Sequence, residues 1–354
     1  MSGMSVAQPE GVDPQHVDFT VVGNWMDERG LAGGEFQEVK ALGGGTQNIM
    51  LRFTRGGREY VLRRGPAHLR PKSNEVIRRE ARLLGALADT DVRAPRVIAA
   101  EPDESVLGAV FYLMEPIEGF NPQTELPARF AEDAEARRQM GLSAVEAIAR
   151  LGALDYRALG LDDYGKPEGF LERQVGRWTH ELESYSAHEG YPGPRIPGLE
   201  AVADWLERHR PAEWTPGILH GDCHLANIMF SYERPEVAAL VDWEMSTIGD
   251  PLLDLGWQIA TRPEPGTSGA ALIGKLGEAG SLPTSAEMIE HYGKFSERDL
   301  GAVTWYTVLA CFKLGIVLEG TYARSFAGKA PKRVGEFLHA NTLELFARAR
   351  GLME

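Results

Sequence analysis

The residues with the most chemical content lie between His220 and Asp242. The run HGDCHLAN (220–227) places Asp222 five residues ahead of Asn227, and a short strand-like segment then leads to Asp242 in LVDWE. Transfer of a phosphoryl group to a hydroxyl needs these types in one site. A carboxylate must orient or receive the proton of the attacking hydroxyl, and hard oxygen ligands must hold Mg²⁺ on the nucleotide phosphates. Asp222 fits the first role, and Asn227 and Asp242 fit the second. A helix-capping turn uses any one of these residue types alone. Together, in this order and spacing, they point to the chemistry.

Other chemistries fit the same stretch less well. His220, Cys223 and His224 are zinc-ligand types, but no fourth ligand is evident and the other cysteine, Cys311, is distant. His220 is better placed to brace the loop. Cys223 beside His224 could suggest a thiol nucleophile, yet adjacent side chains usually point apart and no G-x-S/C-x-G elbow surrounds them. No GK[ST] occurs anywhere, which excludes a Walker-type P-loop.

The elements that must position these residues fall into two groups. Residues 35–42, 48–54 and 58–64 read as strands, with RGG at 55–57 as a turn between the last two. A helix is predicted over 73–87, where Val76, Ile77, Leu83, Leu84 and Leu87 form an apolar stripe. Strands over 96–100 and 109–114 complete this part, and EPIEGFNP (115–122) is a connector punctuated by Pro and Gly. Beyond it the pattern is helical over 128–154, 170–186, 199–210, 299–318 and 333–350, interrupted by strands and loops at 218–230 and 237–251. The fold class is therefore α+β: a small β-rich lobe with one helix, then a larger helical lobe. No fixed-period repeat or low-complexity tract appears.

Composition narrows the partners. With 37 Lys+Arg against 51 Asp+Glu, the net charge is −14, which argues against a nucleic-acid partner because phosphate neutralisation needs a basic face. The chain is 43% hydrophobic and 25% charged, as globular proteins are. Two cysteines make no disulfide framework, so a cytoplasmic location is expected. The apolar run 302–318 is too short for a membrane span and contains Lys313, so it reads as a buried helix, and no membrane partner is expected. The first fifteen residues lack the basic flank and apolar core of a secretory signal and read as a lead-in.

HGDxxxxN followed by D-x-E and GDP resembles the aminoglycoside phosphotransferase and choline kinase group, within the protein-kinase-like fold. It resembles in particular the branch found fused to acyl-CoA dehydrogenases. The resemblance spans about residues 35 to 345. It implies a lead-in and helix over 1–34, a nucleotide-binding lobe over 35–114, a hinge over 115–122 and a catalytic and substrate lobe over 123–354. LGGGTQNIM (42–50) falls where that fold covers the phosphates, which nominates Gly43, Gly44, Gly45, Thr46 and Gln47, although the G-x-G-x-x-G spacing is absent. YVLRR (60–64) puts Arg63 in place of the phosphate-contacting lysine, with Arg64 as the alternative if the register slips by one. Arginine can still pair with phosphate as a bidentate fork. Glu80 matches the ion-pair partner, with Glu75 as substitute. MEPIEG (114–119) matches the hinge, so the Glu115 carbonyl and Ile117 N–H would meet the adenine edge. Asp250 and Asp254 (GDPLLDLGW) match carboxylates that hold the catalytic loop.

The implied activity is transfer of the γ-phosphoryl of ATP, or GTP, to a hydroxyl of a small molecule, with Mg²⁺ as cofactor. A protein kinase would carry D-F-G, an activation segment and A-P-E; here Trp243 and Glu244 follow Asp242, and Asp250 arrives within one short loop. A catalytically silent nucleotide- or metabolite-binding module is the alternative. The dehydrogenase chemistry of the fused relatives has no support in these residues. Aminoglycosides, hydroxyacyl-CoA, choline-like alcohols and sugars all remain open as acceptors, as does the oligomeric state.

Overall fold

The alternating apolar residues Ile49, Leu51 and Phe53 give one strand of the N-terminal sheet its buried face. The structure is a computed structural model that describes residues 17–43, 48–66, 68–69, 71–262 and 274–354. These form two compact units divided between Glu118 and Gly119. In the first, β1 (Phe36–Ala41), β2 (Ile49–Arg55), β3 (Arg58–Arg64), β4 (Val97–Glu101) and β5 (Phe111–Met114) make one antiparallel sheet in the order β1-β2-β3-β5-β4. Gly56 and Gly57 join β2 to β3, both at positive φ (57° and 77°). A two-residue hairpin turn of this hand favours glycine at both positions.

The two faces of this sheet are covered differently. Helix α1 (Phe19–Glu28) is capped by Asp18, whose carboxylate accepts from the N–H groups of Thr20 and Val21. It buries Val22, Trp25 and Met26 against Leu51, Phe53, Tyr60, Leu62, Phe111 and Leu113. Strand alternation turns Arg63 to the opposite face from Tyr60 and Leu62. There α2 (Ser73–Leu87) buries Ile77, Leu83, Leu84, Leu87 and, unusually for a carboxylate, Glu80.

The second unit is mostly helical and departs from expectation in several places. The single helix expected over 128–154 is two, α3 (Ala128–Ala131) and α4 (Ala134–Ala153), because the Asp133 side chain accepts from Ala136 N at 3.0 Å and starts a new helix. Helix α5 (Gln174–Ser184) begins later than 170; Gly169 has φ of 62° and Arg173 donates back to the carbonyls of Lys166 and Glu168, which keeps that stretch in turns. Helix α6 (Leu199–Arg208) follows, then β6 (Gly217–Leu219), β7 (Ile228–Phe230), β8 (Val237–Leu240) and β9 (Thr247–Gly249), paired as β6 with β9 and β7 with β8.

Three further helices lie outside the segments read as helical: α7 (Leu252–Ala260), α8 (Gly274–Ala279) and α9 (Ser285–Gly293). All nine residues of α7 are buried, its polar side chains Asp254 and Gln258 included. Helix α9 did carry a readable signal, the Thr284–Glu287 capping box. Helix α10 (Val303–Phe326) starts after 299, where the Asp299 side chain accepts from Gly301 N in a turn, and continues well past 318. Its length is therefore sufficient for a membrane span, contrary to the reading of 302–318. It is the one described helix long and apolar enough, and 89% of its most apolar window is buried inside the protein against neighbours that include α11 (Lys332–Leu352), α7, α5 and α6.

Candidate active site

The β7–β8 hairpin brings two of the three oxygen-bearing residues together. Ile228 pairs with Leu240, and one step further out Val241 N donates to Asn227 O at 2.9 Å. Asn227 and Asp242 thus stand at the same end of the hairpin. Asp242 has φ 67° and ψ 67°, a left-handed conformation that few non-glycine residues adopt and that tends to mark functional positions.

Strand β6 delivers the loop that carries Asp222. Gly221, at φ 83°, makes the bend, and a Cβ there would collide with the Met245 carbonyl. Asn227 folds back on the aspartate, its Nδ2 donating to Asp222 O at 3.0 Å and to Oδ2 at 3.1 Å. The Nδ2 end is thereby committed, and the amide oxygen is the end that could meet a metal. His224 Nε2 lies 3.5 Å from Asp222 Oδ1. Burial opposes ionisation of Asp222, but the hydrogen bond and charge of His224 and the charge of Lys313 outweigh it and hold the carboxyl below its ordinary value. The side chain is 31% exposed, so it remains reachable.

The loop is fixed from beneath. Asp254 on α7, 1% exposed, accepts from His220 N at 2.6 Å and Gly221 N at 2.8 Å. The sequence had suggested that Asp250 shares this task, but it does not: it accepts from Leu252 N, at the start of α7, at 3.0 Å and takes the Tyr306 hydroxyl. His220 is fully buried, with Nε2 2.9 Å from Val241 O, and its ring lies 4.7 Å from that of Trp243. Burial lowers its pKa, so it braces the loop as a neutral imidazole.

The alternative chemistries find no geometry. With His220 Nε2 engaged by a carbonyl, the zinc set does not assemble, and among the described residues no three His, Cys, Asp or Glu side chains are placed to hold a metal ion. An aspartate plus one amide oxygen is instead the sparse protein contribution that suits Mg²⁺, which keeps waters and takes substrate phosphates. Cys223 is fully buried, and burial pushes its thiol well up, the reverse of an activated nucleophile.

The N-terminal unit holds the other candidate set. Arg63 Nε donates to Glu80 Oε2 at 2.7 Å, with the side chains 7% and 2% exposed, whereas Glu75 is exposed. Burial lowers the pKa of Arg64, which follows Arg63 at the end of β3. Glu115 N donates to Arg96 O at 2.9 Å; the Glu115 carbonyl and the Ile117 N–H make no backbone bond among the described residues. Gly43 ends the described part of the glycine run. Gly44, Gly45, Thr46 and Gln47 lie outside the described residues.

The sequence reading missed two residues of the loop's surroundings. His224, considered only as a zinc ligand or as the neighbour of a Cys223 nucleophile, faces Asp222. Lys313, read only as a charge inside an apolar run, donates to the Gly221 carbonyl at 2.7 Å. His224 occupies one of the open positions of HGDxxxxN, and Lys313 lies in no motif that spacing singles out.

A family model of phosphotransferase enzymes matches residues 38–290. The chain belongs to the phosphotransferase enzyme family. Among solved structures, this phosphotransferase is 29% identical to a candidate aminoglycoside phosphotransferase from Ralstonia eutropha, with a TM-score of 0.77 over 95% of this chain and 99% of that one. An aminoglycoside phosphotransferase solved with GDP and kanamycin shares the fold at 16% identity and a TM-score of 0.61, over 94% of this chain and 98% of that one. The resemblance read from HGDxxxxN and the protein-kinase-like α+β fold class are borne out.

Curated relatives of the phosphotransferase include acyl-CoA dehydrogenase family member 11 of Rattus norvegicus, 32% identical over 86% of this chain, and family member 10 of Mus musculus, 30% identical over 77%. The chain spans only 38% and 25% of the lengths of those two proteins.

Proposed function

We propose that this phosphotransferase is a small-molecule kinase that moves the γ-phosphoryl of ATP, or GTP, to a hydroxyl of a small acceptor. The observation that carries the proposal is the convergence of Asp222, Asn227 and Asp242 around a loop whose backbone is clamped by Asp254. Asp222 stays ionised at neutral pH, because His224 and Lys313 hold its pKa down. A carboxylate of that kind is a weak base. It orients the acceptor hydroxyl by accepting its hydrogen bond and takes the proton late, once phosphoryl transfer has made the hydroxyl acidic. Asn227, through its amide oxygen, and Asp242 would hold Mg²⁺. Bound there, the ion would supply charge neutralisation for the nucleotide phosphates.

In the N-terminal unit, Arg63 is assigned to a nucleotide phosphate, with Glu80 fixing the guanidinium, and the Glu115 carbonyl and Ile117 N–H to the base. The names of the solved relatives support nucleotide and hydroxylated ligands as classes and leave this chain's acceptor open.

The test is ADP release from Mg·ATP by the purified protein across aminoglycosides, hydroxyacyl-CoA thioesters, choline-like alcohols and sugars, beside Asp222→Asn. One or more acceptors should raise ADP release in the wild type alone, by about 10²–10⁴-fold over the variant. A panel in which nothing exceeds the variant would return the chain to a silent nucleotide-binding module.

A further inference from the structure

Helix α10 carries a charge in its most enclosed stretch. Lys313 is 5% exposed, and its ammonium lies 4.3 Å from the Trp257 ring centre on α7 and 5.5 Å from that of Trp178 on α5. The charged groups that face it are Asp222 on the loop, Asp254 on α7 and Arg177 on α5. Burying an ammonium is costly, and a methionine would fill the space between two indoles without that cost. Packing therefore does not explain the lysine.

Its hydrogen bond does. Nζ donates to the Gly221 carbonyl at 2.7 Å, while Asp254 Oδ1 takes the Gly221 N–H at 2.8 Å. The two peptide planes on either side of the Gly221 Cα are thus held separately. The one held by Lys313 is the plane that leads directly into Asp222. Gly221 sits at φ 83° with no Cβ to restrict it, so without that bond this plane has the most freedom to rotate.

We propose that Lys313 is a positioning residue for Asp222: through the Gly221 carbonyl it fixes the peptide plane that aims the Asp222 carboxylate, and its charge balances the carboxylates of Asp222 and Asp254 on either side of that plane. Burial lowers the lysine to about 8, with Asp222 and Asp254 acting against the shift, so the ammonium persists at neutral pH. The inference rests on the reading of Asp222 as the residue that meets the acceptor hydroxyl.

The experiment compares wild type, Lys313→Met, Asp222→Asn and the double variant, with Mg·ATP and the acceptor returned by the panel, or water where none responds. Lys313→Met should lower kcat about ten- to a hundred-fold and leave the KM for ATP within about twofold. In the Asp222→Asn background the same change should cost nothing further, because a residue that acts through Asp222 has nothing left to aim. Lys313→Arg, which keeps a charged donor, should recover part of the rate. A Lys313→Met enzyme at wild-type rate, or a double variant slowed by the full factor again, overturns the proposal while leaving Asp222 in its role. An Asp222→Asn enzyme at wild-type rate overturns the reading of Asp222 itself. If Lys313→Met does not fold, Lys313→Gln, which drops the charge and is one atom too short to carry a donor to the Gly221 carbonyl, is judged by the same two comparisons.

Discussion

Removing the Asp254 side chain should destabilise the C-terminal unit by an amount the structure allows to be worked out. The carboxylate accepts two buried backbone N–H groups, His220 N at 2.6 Å and Gly221 N at 2.8 Å. Leaving a buried donor unpaired costs about 1–3 kcal/mol, so Asp254→Ala exposes the fold to about 2–6 kcal/mol. The substitution also removes a carboxylate whose burial pushes its own pKa upward. That relief offsets part of the loss and places the expected value near about 2–4 kcal/mol. Asp254→Asn keeps one acceptor oxygen and should lose roughly half as much. Urea unfolding followed by tryptophan fluorescence measures it, since every tryptophan except Trp25 lies in the C-terminal unit. Unfolding free energies for wild type and Asp254→Ala that agree within about 0.5 kcal/mol would refute the clamp.

Arg63→Met breaks the buried ion pair with Glu80, so Mg·ATP affinity should fall about ten- to a hundred-fold, and Arg64→Met should do much less; calorimetry on both variants showing the reverse order would move the phosphate contact to Arg64. Because burial lowers the folded-state pKa of His220 below 6.5, the unfolded chain binds its proton first as pH falls. Stability should therefore be level above about 6.5 and decline below it, more steeply in wild type than in His220→Gln; parallel profiles of unfolding midpoint against pH would contradict this. Asp242→Gly suits the observed φ of 67° and should unfold no more easily than Asp242→Ala, while both lose Mg²⁺-dependent ADP release; a glycine variant that keeps Mg²⁺-dependent turnover would remove Asp242 from the metal.

The parts of this protein that were legible in one dimension are those whose physics is local. Alternation marked β2, the short apolar run Tyr60–Leu62 marked β3, the stripe from Val76 to Leu87 marked α2, and the paired glycines after Arg55 marked the turn between strands. Asp222 and Asn227 could be paired because they sit on one short loop, close enough for the amide to reach the carboxylate. The tertiary structure decided the rest. Helix α7 turns even its polar residues, Asp254 and Gln258, into the interior, and α10 continues beyond its apolar run, where Glu319, fully buried, meets Tyr191 and His339. Only the fold separated Asp250 from Asp254, two carboxylates four residues apart on one motif, by pointing the second alone at the His220–Gly221 backbone. Lys313 reaches Gly221 from 92 residues away, and no local propensity encodes a contact of that range. Such a contact exists because helix packing brings α10 under the loop, where the cost of burying a charge is offset only at the one point where carboxylates and a carbonyl meet it.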